Sequence, residues 1–102
     1  MHNLSIVEQW LESAFGDHKC LLELYIIGSV LVDENIANDV DIVQRIYFKK
    51  GYIVDAYSQS LKEIKEEFYS TFSKSLHVTT FTQNENLSFE YFISLNNYIR
   101  II

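Results

Sequence analysis

Nine residues separate Gly28-Ser29 from Asp39-Val40-Asp41, within the run LYIIGSVLVDENIANDVDIVQRI. Side chains two apart on a strand project from the same face. If residues 39 onward form a strand, Asp39 and Asp41 point out together while Val40 and Ile42 turn into a core. Two neighbouring carboxylates repel unless a cation lies between them. Hard divalent ions, Mg2+ among them, prefer such oxygen ligands. Aspartate is also a poor strand residue, so two of them in one strand need a reason. The plain alternative is a solvated strand face. Gly28 permits close backbone approach, and a turn there offers free N–H groups of the kind that bind phosphate. A cation site beside a phosphate cradle is the minimum apparatus of nucleotide chemistry.

These residues need elements to hold them. Leu4, Val7, Trp10, Leu11, Ala14 and Phe15 recur at three and four spacing and predict a helix over 4–15. Gly16-Asp17 fits its stop. The apolar run from Cys20 to Ile27 reads as a strand, interrupted by Glu23. Residues 29–33 fit one helical turn, 34–38 a polar loop, and 39–48 a second strand ended by Lys49-Lys50-Gly51. Leu61, Ile64, Phe68 and Phe72 form the apolar stripe of a helix over 55–73, with Ser58 or Ser60 as its cap. Residues 75–82 read as a β-branched strand, 83–86 as a turn and 88–97 as a third helix. The apolar tail 98–102 is expected to add a short strand or cover a sheet edge. The order gives an α/β or α+β fold, a small mixed sheet flanked by helices, in one domain spanning 1–102.

The strand-to-corner-to-strand arrangement of Ile27, Gly28 and Ser29 followed by Asp39, Val40, Asp41 and Ile42 resembles the nucleotidyltransferase superfold. The comparison is with its minimal members, which include the antitoxin halves of bacterial toxin–antitoxin pairs. The resemblance implies that Asp39 and Asp41 hold Mg2+ (or Mn2+) on a nucleoside triphosphate, and that Gly28 and Ser29 cradle its phosphates. It implies transfer of a nucleoside monophosphate to a hydroxyl. The superfamily places a third carboxylate on the strand after the intervening helix. Here that strand, Leu76 to Phe81, has no acid. His77 is expected at or beside that position, as a third ligand or a general base, the plain alternative being a hydrogen-bonded strand histidine. Imidazole suits Mn2+ or Zn2+ better than Mg2+. A Glu-bearing turn at Glu85 extends the likeness. The missing acid leaves a second expectation: a catalytically degenerate binding module, antitoxin- or immunity-like, with a toxin-like protein partner or a homodimer.

Other residues have plainer expectations. Arg45 shares parity with the aspartates, so Asp41 or a phosphate is within its reach, with an ordinary surface ion pair the commoner outcome. Asp55 is the other candidate for a third acid, with a helix-start acid favoured by the dipole the plainer expectation, and Asp33 and Glu34 are solvated loop acids or adjust metal affinity. Glu23 faces an edge or solvent, His2 and His18 are exposed, and Trp10 and Cys20 are core. The formal charge of −6 argues against nonspecific nucleic-acid binding, which requires Lys and Arg to displace counterions. One cysteine excludes an internal disulfide and fits a reducing cytoplasm. No run approaches the roughly 18 apolar residues of a membrane span, and the first residues lack a secretion-signal layout.

Overall fold

The computed structural model describes residues 4–18, 20–28, 31, 38–47 and 54–102, with 54–56 as backbone. Its elements are α1 (Leu4–Phe15), β1 (Leu21–Ile27), β2 (Asp39–Ile46), α2 (Val54–Phe72), β3 (Ser75–Thr82), α3 (Asn86–Ser94) and β4 (Tyr98–Arg100). The strands form one mixed sheet in the order β3-β2-β1-β4, an α+β fold. β1 runs antiparallel to both β2 and β4, whereas β2 and β3 are parallel, joined through α2.

Period-two alternation sorts β2 into two faces. Val40, Ile42 and Gln44 face one way, and Asp39, Asp41, Val43 and Arg45 face the other. α1 and α2 cover the first face. Their stripe residues Val7, Leu11, Phe15, Ile64, Phe68 and Phe72 pack with Leu24, Ile26, Val40, Ile42 and Leu76. The Trp10 ring meets Phe68 and Phe72 edge-on, with centroids 5.4 and 5.9 Å away. α3 covers part of the second face, where Phe89 joins Tyr25, Ile27 and Val43. Helices on both sides explain why Leu24 to Ile27 are all buried and read as an unbroken apolar run.

Helix ends depart from the sequence expectation more than helix bodies do. α2 begins at Val54, so Ser58 and Ser60 lie inside it and neither caps it. α3 runs from 86 to 94, not 88 to 97. Glu85 accepts from the Thr82 N–H (2.9 Å) and hydroxyl (3.1 Å), which folds the turn early. At the other end the Asn96 amide donates to the Phe92 carbonyl (2.9 Å) and closes the helix. The tail does both things expected of it. β4 pairs with β1, and the Ile101 N–H donates to the Leu24 carbonyl at 2.8 Å. His18 is half-buried, not exposed, wedged between the rings of Phe15 and Tyr57.

The buried amide of Gln44 is paired, whereas the buried Arg45 Nε has no hydrogen-bond partner. Gln44 is fully enclosed, accepting from the Tyr57 hydroxyl and donating to Thr80 Oγ1 at 2.9 Å. Burial, then the neighbouring Cys20, pushes the Tyr57 hydroxyl pKa up, and burial also raises the Cys20 thiol. Tyr25 is raised to about 12 by burial and by its 2.6 Å hydrogen bond to Glu23. In the unfolded chain that hydroxyl titrates at about 10. The folded state therefore holds the proton more tightly. The stabilisation is fully present below about pH 10 and is lost as pH rises towards about 12. Urea melts across that window should show stability falling with pH, and Tyr25→Phe should flatten the fall. An unchanged slope in the variant would show that Tyr25 is not held as described.

Candidate metal centre

Three strands meet at the site. β1 ends at Ile27, β2 starts at Asp39 and β3 starts at Ser75, so all three ends share one rim of the sheet. Register places Asp41 between Ile27 and His77, and Asp39 beside Ser75. Residues paired across a ladder project from the same face, so Asp39, Asp41 and His77 converge. His77 Nδ1 lies 3.4 Å from Asp39 Oδ2 and 3.5 Å from Asp41 Oδ1. One donor atom from each residue lies within 4.8 Å of the others. α3 packs farther along this face, which leaves the side chains of Asp39, Asp41 and His77 38%, 37% and 60% exposed.

Gly28 closes the site from the end of β1. Its φ is +86°, and a Cβ there would stand 3.0 Å from Asp41 Oδ2. The conformation favours glycine, and a Cβ would make the Asp41 carboxylate give way. The Leu31 N–H returns to the Gly28 carbonyl at 3.1 Å, so the chain turns here. Gly28→Ala should cost about 1–2 kcal/mol for the left-handed backbone and should also push the Asp41 carboxylate aside. The checks are a denaturation curve and an amide spectrum around Asp41 and His77. A neutral substitution would rule out the tight corner.

Two of the three donor separations match those around a single cation. Ligands about 2.1 Å from an ion stand about 3.0 Å apart at octahedral angles and about 3.4 Å apart at tetrahedral ones. The separations from His77 Nδ1 are of that size. The alternative occupant of the gap is a proton on the imidazole, shared between two acceptors.

His77 also lines an open groove of about 550 Å³ between α2 and β3, with Lys65, Tyr69, Ser70 and Leu76 around it. Sequence reasoning missed this groove. Its one signal is the Lys65/Tyr69 pair at four-residue spacing, beside the buried stripe of α2.

Arg45 is not part of the site. It lies four strand residues beyond Asp41, a distance of about 13 Å. There it pairs with Glu23 (3.7 Å) and Asn86 and lies over the Phe89 ring, 4.5 Å from its centroid. Glu23 accordingly faces Arg45 across the ladder, not an edge. Glu85 closes the β3–α3 turn and is taken up there. Ser29, His2, Asp33, Glu34, Lys49 and Lys50, and the side chain of Asp55, lie outside the described residues.

Among the described residues no helix is long and apolar enough to cross a membrane. Comparison with known proteins finds no matching family model, and no significant match among curated proteins or solved structures.

Proposed function

We propose that the chain is a nucleotidyltransferase-like domain that binds a divalent metal–nucleoside triphosphate complex through Asp39, Asp41, His77, Gly28 and Ser29. One observation carries the reading: two aspartates and a histidine converge beside a glycine corner, with one donor atom from each within 4.8 Å of the others. Asp39 and Asp41 would hold Mg2+ or Mn2+, with His77 Nδ1 completing the set. A divalent ion, when bound, supplies neutralisation of triphosphate charge. Gly28 presents backbone without a side chain, and Ser29 offers a hydroxyl and an N–H to a phosphate oxygen. Transfer of a nucleoside monophosphate to a hydroxyl acceptor is the reaction this apparatus would serve.

A second reading has its own support. The third ligand is an imidazole, so the set carries one negative charge fewer than three carboxylates would. On α3 and its cap, Leu87, Tyr91 and Leu95 are 83%, 70% and 65% exposed at four-residue spacing. Apolar ridges of this kind mark contact surfaces. A degenerate, antitoxin- or immunity-like module would keep metal–nucleotide binding, dock a protein partner or a second copy, and perform no transfer.

Thermal melts with Mg2+ or Mn2+ and a nucleoside triphosphate test the shared part. Both readings require a rise in midpoint, and its absence would end them. Incubation with labelled triphosphate and cell extract then separates the two. Label carried onto an acceptor supports the enzyme, and its absence supports the binding module.

A further inference from the structure

We infer that the Asp39–Asp41–His77 cluster selects Zn2+ over Mg2+ and holds it without nucleotide. This rests on the reading of the cluster as a cation site, but it concerns which ion and which residue decides. Mg2+ demands near-octahedral oxygen coordination, dehydrates reluctantly and usually keeps several waters. It gains little from an imidazole nitrogen. Zn2+ takes carboxylate and imidazole ligands together, and its open sites commonly use three protein ligands plus one exchangeable position. In the divalent series Zn2+ also stands well above Mn2+ at mixed N/O sites.

Geometry supports the same choice. His77 Nδ1 stands almost equally far from the two carboxylates, at 3.4 and 3.5 Å, close to the separation expected around a four-coordinate ion. All three residues sit on paired strands, and Asp41 and His77 are direct register partners. A site built on strands is more rigid than one built on loops, so the donors are placed before any nucleotide arrives. The 60% exposure of the His77 side chain leaves an open side where a water or a phosphate oxygen could take the remaining position.

Calorimetric titration of the full chain with zinc chloride alone, and separately with magnesium chloride alone, tests the inference. Zn2+ should bind tighter than Mg2+. His77→Ala should weaken Zn2+ by on the order of 100-fold, the upper end of what losing even a group behind a ligand costs. His77→Asp should reverse the preference, weakening Zn2+ and strengthening Mg2+, an outcome that damage to folding would not produce. Co2+ as a spectroscopic substitute should show visible bands of an N/O ligand set without a thiolate charge-transfer band, which separates this site from Cys20. If Zn2+ binds no tighter than Mg2+, or His77→Ala leaves Zn2+ affinity unchanged, or a thiolate band appears, the inference is overturned. A Mg2+–nucleotide response that still depends on Asp39 and Asp41 would then leave the nucleotide reading intact. No response to either ion, with or without nucleotide, would remove both.

Discussion

Phe68→Ala should come close to unfolding the domain. Phe68 is fully buried, one turn before the end of α2. Its ring lies 4.8 Å from that of Phe72 and 5.4 Å from that of Trp10, so it joins α2 to α1 over the sheet. Truncating a buried phenylalanine costs about 3–5 kcal/mol, the lost transfer energy plus the cavity left behind. A small domain has about 5–15 kcal/mol in all. The urea midpoint should therefore fall by more than about 1 M, given slopes of about 1–3 kcal/mol per M. Leu87→Ala is the matched control. Leu87 is 83% exposed on α3, and its loss should stay within about 0.5 kcal/mol. Equal effects from the two variants would mean that α2 does not dock as described.

That contrast also shows what periodicity can and cannot reveal. The stripe Leu61, Ile64, Phe68, Phe72 marks the inner face of α2 because a helix repeats every 3.6 residues, whatever it packs against. Val40 and Ile42 are legible as inward by the same local logic. Gln44 is not. It occupies an inward position of β2, and only Tyr57 and Thr80, 13 and 36 residues away, make a buried amide tolerable there. Helix ends are equally non-local in cause. α3 stops where Asn96 reaches back to Phe92, and α2 starts earlier than its serines imply.

The site divides in the same way. Asp39 and Asp41 share a face by strand parity alone. Arg45 shares that parity too, yet distance along the strand carries it to Glu23 and the Phe89 ring. Parity sorts faces and says nothing about which end α3 will cover. The arrival of His77 between the two aspartates depends on the parallel pairing of β2 with β3, across a helix of 19 residues. The nucleotidyltransferase resemblance pointed to His77 as a residue at or near the third position. The register places it opposite Asp41.

Replacing both aspartates should separate binding from stability. A ligand present at 100 times its dissociation constant stabilises the state that binds it by about 2.7 kcal/mol. Asp39→Ala combined with Asp41→Ala should abolish that gain for Mg2+ with nucleoside triphosphate and for Zn2+ alone. Without ligand, the same double variant should be at least as stable as the parent chain. The two carboxylates project from one strand face and repel each other, and aspartate is a poor strand residue. Opposite signs in the two conditions, no loss without ligand and full loss of the ligand-induced rise, are what a residue pair retained for binding should show. A double variant that loses stability equally with and without ligand would instead place both aspartates in the structural framework of the sheet. The nucleotide reading would then lose its anchor.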